Sequence, residues 1–222
     1  MAEILKLYDY WRSSASYRVR IALNLKGLAY EQHPIHLVRG GGEQHGDDYR
    51  EVNAQELVPT LVDGRRVIRQ SLAIIEYLDE TYEGDTKLLP TTARDRARVR
   101  ALAMIVACDI HPINNLRVMQ FLEHEFGLAP EQRTRWTRHW MEAGFRSFEA
   151  FVAGHPSTGL YCEGDTPTLA DICLVPQMYN ARRFDLPLDA WPVLVRADAS
   201  ATALEAFAAA HPDRVAPEAV TG

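Results

Sequence analysis

Cysteine is scarce. The 222 residues hold three, at 108, 162 and 173, and none in the first 107. An odd, scattered set gives no disulfide framework and no zinc spacing, so no metal is expected. A reducing cytoplasm is its simplest setting. Nothing in the first 107 residues can carry out thiol–disulfide exchange with its own sulfur. Long apolar runs are missing too. None approaches the roughly 20 residues that span a bilayer, so no membrane partner is expected. Residues 1–4, Met-Ala-Glu-Ile, lack the basic-then-apolar pattern of a signal peptide. Positive charge is in deficit, and the net charge of −6 argues against nucleic acid as a partner. No internal repeat is visible, and only the polar tail is compositionally biased. The remainder is an ordinary globular composition, 47% hydrophobic and 24% charged, long enough for one large domain or two small ones.

The stretch Trp11–Leu25, WRSSASYRVRIALNL, organises the chain. An apolar run before it, Ile4 to Tyr8, reads as a strand. Tyr17, Ile21 and Leu25 recur at helical spacing after it. Between them lie Arg12 and the small residues Ser13, Ser14, Ala15 and Ser16. Serines there cap a helix by accepting N–H bonds that the first turn leaves unpaired. The same N–H groups and the helix dipole favour an anion.

Lys26-Gly27 reads as a helix stop, and Tyr30–Leu37 as a second strand. Arg39 to Gly46 is a glycine-rich flexible loop, either a solvated connection or a cover for a site. Leu57 to Val62 reads as a strand holding Pro59, which cannot donate to a ladder. A cis Val58-Pro59 bond would turn the backbone groups of Val58 towards an extended peptide; a proline at a strand start is the other reading. Asp63-Gly64 marks a hairpin. Ser71 reads as the N-cap of a helix bearing Leu72, Ile75 and Leu78, a second place for a carboxylate. The order β-α-β-α-β-β-α is thioredoxin-like.

Residues 83–90 read as a linker, with a boundary near 85 and domains over 1–84 and 92–222. The second domain is helical throughout. Thr92 to Leu122 reads as one long stretch, kinked at His111-Pro112. Asn114 and Asn115 beside it are more polar than a core helix needs. Pro130 opens a helix rich in core aromatics. Thr168 to Asp171 is a capping box before a buried helix. Arg182 and Arg183 follow, by themselves a solvated helix terminus. A short alanine-rich helix ends at His211-Pro212, and the tail beyond reads as loose.

RSSASYRVRIALNLKG resembles the signature of zeta-class glutathione transferases, the family of the maleylacetoacetate and maleylpyruvate isomerases. Ala15 stands where many members have cysteine. The resemblance implies a glutathione transferase fold, α/β plus all-α: a thioredoxin-like domain followed by a helical bundle. It implies glutathione as cofactor, held by Gln44, Val58, Gln70, Ser71, His111 and Asn115. Ser13 is the first choice for the hydroxyl that faces the sulfur and Ser14 the alternative. Arg12 and Arg183 suit the two ends of a small dicarboxylate, because guanidinium binds carboxylate as a fork. IHPINN is similar to the segment lining the substrate pocket in the maleylpyruvate branch. A twofold homodimer in the cytoplasm is also implied.

The implied reaction is glutathione-dependent cis–trans isomerisation of maleylacetoacetate to fumarylacetoacetate in tyrosine and phenylalanine breakdown. The runners-up are maleylpyruvate isomerisation on the gentisate route and a broader transferase or α-halo-acid dehalogenase. A scaffold without turnover is the contrasting class. The dense polar set argues against it.

Overall fold

The computed structural model describes residues 4–84 and 86–217. Residues 1–3, 85 and 218–222 lie outside it. They include most of the stretch read for a leader, one linker residue and the end of the polar tail. The chain packs as two compact units. One holds the residues up to Leu88 together with those from Leu204 on; the other is Leu89–Ala203.

The first unit runs β1 (Leu5–Asp9), α1 (Ser14–Leu25), β2 (Tyr30–Pro34), two 3-10 turns (Arg39–Gly41 and Glu43–His45) and α2 (Asp47–Val52). It continues through β3 (Thr60–Asp63), β4 (Arg66–Arg69) and α3 (Ser71–Thr81). The sheet order is β2-β1-β3-β4, with β2 parallel to β1 and the other pairs antiparallel. Burial alternates along β1: Leu5, Leu7 and Asp9 are buried, Lys6 exposed. β2 stops at Pro34, short of the expected Leu37. The loop after it is more ordered than its composition implies. His36 and Glu43 exchange backbone and side-chain bonds across it, and Gly40, Gly41 and Gly42 take φ of 61, 87 and 109°. Only glycine adopts such a run without strain.

Both arginines of the YRVRIAL run are buried. Arg20 bonds Asp9 at 2.8 Å, the Trp11 carbonyl at 2.8 Å and the Ala210 carbonyl at 3.1 Å. Burial pushes the Asp9 carboxyl up, against the pull of Arg20 and the Gln32 amide. The expected ranges put everything after 92 in the helical domain. The chain end differs, because its partners lie on α1. α9 (Glu205–Ala209) buries Phe207, whose carbonyl accepts from Tyr17, and Asn24 donates to the Ala206 carbonyl at 2.9 Å. α10 (Pro212–Val215) follows.

The second unit holds α4 (Ala93–Met104), α5 (Leu116–Phe126), α6 (Pro130–Val152), α7 (Leu169–Arg183) and α8 (Pro192–Thr202). The expected single long helix over 92–122 is broken more deeply than by a kink. A π-helical turn spans Ile105–Ile110 and a 3-10 turn Pro112–Asn114. Pro112 has no N–H to continue the ladder, and His111 N–H reaches back five residues to the Val106 carbonyl. Gly144 on α6 accommodates Ile110, since a Cβ there would lie 2.2 Å from its Cδ1.

α7 is buried almost end to end. Its capping box forms as expected. Asp171 accepts from the Thr168 N–H and hydroxyl and from the Cys162 N–H. Burial still raises the Asp171 carboxyl, and it pushes the Cys162 thiol well up, leaving that sulfur unreactive. Among the described residues, no helix is long and apolar enough to cross a membrane.

Candidate functional site

Strand register gathers the first unit's candidates. Asp9 faces Pro34, Tyr8 faces Thr60, and Thr60 faces Arg69. The ends of β1, β2 and β4 and the start of β3 therefore share one end of the sheet. Arg12, Ser13 and Ser14 follow β1. Gln44 follows β2, Val58 precedes β3, and Gln70 and Ser71 follow β4. Carboxyl ends of strands, where the next helices begin, are the usual ligand end of such sheets.

Ser13 is the N-cap of α1, at φ −69° and ψ 122°, and its oxygen accepts from the Ser16 N–H at 3.3 Å. Its own proton is left to donate elsewhere. Ser14 is the first helical residue and is buried. Arg12 is exposed, with its guanidinium 5.1 Å from the centre of the Trp11 ring. The Arg20–Trp11 bond anchors this loop from below.

The Val58-Pro59 peptide is cis. β3 begins at Thr60, later than the expected Leu57, because proline cannot enter the ladder. No backbone group of Val58 is hydrogen-bonded among the described residues. A buried set holds the approach to it. Tyr49 hydroxyl donates to the Leu57 carbonyl at 2.6 Å and lies 3.0 Å from Thr60 Oγ1, while Asn53 donates to the same carbonyl at 2.7 Å.

Ser71 is not the N-cap. Gln70 takes that place in a left-handed conformation, φ 70°, and makes no side-chain cap bond. Ser71 becomes the first helical residue, buried, with its hydroxyl accepting from Arg18 at 3.2 Å. Gln70 is exposed and bonds Gln55 at 2.9 Å. Gln44 is buried, its amide nitrogen 3.4 Å from the Leu37 carbonyl, and its amide oxygen has no partner among the described residues.

The remaining candidates lie in the second unit. His111 ends the π turn and is half-buried. Asn115 is the N-cap of α5 and accepts from the Arg117 N–H at 3.2 Å, a structural duty. Its neighbour Asn114 has a buried side-chain oxygen with no partner among the described residues. Arg183 is exposed, bonds Asn180 at 2.9 Å and lies within 6 Å of the Tyr179 and Phe184 ring centres (5.9 and 5.7 Å). Arg182 is engaged by Asp198 at 2.5 Å instead. A surface groove of about 560 Å3 along α6, lined by Glu131, Arg135, Arg138 and His139, includes none of these residues. Among the described residues, no cluster of His, Cys, Asp and Glu is placed to hold a metal.

Residues 7–86 match the model of the glutathione S-transferase N-terminal domain. Over 209 residues the chain is 51% identical to a probable maleylacetoacetate isomerase of Vibrio cholerae, covering 94% of this chain and 96% of that one. The chain belongs to the zeta-class glutathione transferases. Its fold superposes on a holo maleylpyruvate isomerase of that class with a TM-score of 0.92 and 47% identity, covering 95% and 98% of the two chains. A maleylacetoacetate isomerase of Methylobacterium extorquens AM1, solved with bound malonate and glutathione, matches with a TM-score of 0.90 and 42% identity over 94% and 97%. The zeta-class fold is thus the two-part architecture described above.

Sequence reasoning missed Arg18, which braces Ser71, and the side chains around Gln44. For Arg18 a signal existed: two arginines two residues apart inside an apolar helix have no common solvent face.

Proposed function

We propose that this zeta-class chain is a glutathione-dependent isomerase that converts maleylacetoacetate to fumarylacetoacetate in aromatic amino-acid breakdown. The observation that carries it is the sheet end itself. A serine hydroxyl at the start of α1, the Val58 backbone and the Gln44 amide oxygen, the last two without a partner among the described residues, flank strand ends on that side of the sheet, and no cysteine is in the unit. These groups fit a peptide that brings its own thiol. The Gln44 oxygen, costly to bury unbonded, is satisfied by a peptide N–H. Val58 has one donor and one acceptor to offer an extended chain. Gln70 and Ser71 take the γ-glutamyl end, beside the first N–H groups of α3.

Glutathione, held by Gln44, Val58, Gln70 and Ser71, would supply a thiolate nucleophile for reversible addition to the activated double bond. Ser13 donates its hydroxyl proton to that anion, and the α1 N-terminus adds its positive end. Both favour the ionised sulfur at neutral pH. Ser14 offers the alternative donor. Arg12 and Arg183 bind the carboxylates of the diacid, so that binding energy holds the ends while the middle turns. His111 and Asn115 keep in this proposal the glutathione contacts that the family resemblance implies.

Maleylpyruvate is the second substrate reading, favoured by the likeness to the holo maleylpyruvate isomerase. The chemistry is the same and only the tail differs. Purified protein should deplete cis-maleylacetoacetate only when glutathione is present; turnover of maleylpyruvate alone would reverse the substrate order. A cytoplasmic homodimer belongs to the same proposal. Sedimentation at micromolar concentration should give twice the 25.1 kDa chain mass, and a monomer would remove that part.

A further inference from the structure

The proposed reaction leaves the surroundings of Gln44 unexplained. Besides the Leu37 carbonyl, the Gln44 amide nitrogen lies 3.0 Å from Nε2 of His45. A carbonyl only accepts, so the end facing Leu37 is the NH2 group. That group only donates, so Nε2 of His45 must accept and carries no proton. The proton of the neutral ring is then on Nδ1, which hydrogen-bonds the Glu56 carboxylate. Arg50 Nε grips the same carboxylate at 2.9 Å. The bond from His45, and after it that from Arg50, hold the Glu56 carboxyl below its ordinary value, so it stays an acceptor.

Backbone geometry agrees. Glu56 sits at φ 56°, a left-handed conformation that non-glycine residues keep only where their surroundings determine it. On the other side of the amide, a Cβ on Gly42 would come 2.4 Å from its nitrogen and 2.7 Å from its oxygen. Glycine alone leaves that room. The amide is thus fixed at its nitrogen end and closely backed, and its oxygen end is buried without a partner among the described residues.

We propose that His45, held as the Nδ1-protonated tautomer by Glu56, is a positioning residue that turns the Gln44 amide so its oxygen meets an N–H donor of the bound peptide. This rests on the reading that the unit binds glutathione. His45 touches neither the sulfur nor the diacid in this account; it acts through Gln44.

The probe is S-methylglutathione, which has no thiol to titrate, measured by calorimetry with the full chain. His45→Phe should weaken binding about fivefold, the worth of one hydrogen bond of about 1 kcal/mol. His45→Gln places an acceptor at nearly the reach of Nε2 and should bind within about twofold of the parent, as one retained bond requires. In turnover, the loss in His45→Phe should fall on KM for glutathione rather than on kcat. Long-range 1H–15N spectra should show the Nδ1–H tautomer in the parent and an increased share of Nε2–H in Glu56→Ala, which removes the acceptor facing Nδ1. Unchanged affinity in His45→Phe, no rescue by His45→Gln, or an Nε2–H tautomer in the parent would each overturn the proposal. Absence of any S-methylglutathione binding by the parent would defeat the glutathione reading instead, and the tautomer would still decide whether Glu56 fixes His45.

Discussion

Replacing Arg20 by methionine removes the most heavily used buried charge beneath the candidate site. Arg20 and Asp9 are both 0% exposed. The guanidinium also serves the Trp11 and Ala210 carbonyls, one in the loop before α1 and one in the returning chain end. Methionine fills the stem's volume but serves none of these acceptors. Breaking one partner of a buried pair costs about 3–5 kcal/mol, because the remaining charge is stranded. A domain's whole stability is about 5–15 kcal/mol, so the variant should still fold, with a clearly lowered urea midpoint.

Stranded Asp9 can escape its charge by binding a proton. Its folded carboxyl is already raised by burial and must rise further without Arg20. A raised folded value means stability that is fully present below the unfolded value of about 3.9 and lost as pH rises through the folded one. The deficit of Arg20→Met should therefore be larger at pH 8 than at pH 5. The double variant Asp9→Leu/Arg20→Met should recover part of the loss, since an apolar pair strands no charge. A loss below about 1 kcal/mol, or one independent of pH, would refute the reasoning.

Other perturbations test other parts. Asp171→Ala strips two N–H groups and a hydroxyl of their acceptor at the start of α7. It should cost about 2–4 kcal/mol in urea unfolding, and a neutral result would mean the box is dispensable. Tyr82 is pushed up to about 12, by burial first and then by its bond to Asp63. Its raised value contributes stability that is present below the free phenol's value of about 10 and lost as pH climbs through 12. Tyr77 donates to the same carboxylate and is raised too, so Asp63→Asn should shift two late-titrating phenols to lower pH in an ultraviolet titration, and an unchanged curve would count against those bonds. Arg183→Ala should raise KM for the maleyl diacid at least about tenfold, as loss of a forked charged pair requires, with little change for glutathione. Equal losses would contradict its role.

Local chemistry was legible in the sequence; partners far along the chain were not. A serine cap on α1, the Thr168–Asp171 box and a proline kink in the 92–122 stretch each follow from neighbours within a few residues, though the break there runs deeper than a kink. The strand–helix order followed from turn residues and periodicity, whereas a proline in a strand left the cis Val58-Pro59 bond as one of two readings. Arg18 could not be placed, because its partner Ser71 lies 53 residues away, and of the acceptors of Arg20 the Ala210 carbonyl lies 190 residues away. The return of α9 onto α1 was hidden for the same reason. An alanine-rich stretch looks alike wherever it packs, and only Phe207 marks its buried face. Ser71 was misplaced by one position, since a left-handed glutamine before a helix has no sequence signal. The glycines of 39–46 read as a flexible loop, whereas the bonds between His36 and Glu43 that tie it need the fold to meet.

The account's core is a sulfur anion, brought by the tripeptide, resting on a serine hydroxyl where α1 begins. Thiolate absorbance near 240 nm, followed against pH with glutathione bound, measures it directly. The parent protein should ionise the bound thiol well below its value in free solution. Ser13→Ala should raise that value by about one to two units, the worth of a hydrogen bond to a charged group. An unchanged value in both Ser13→Ala and Ser14→Ala would contradict the account.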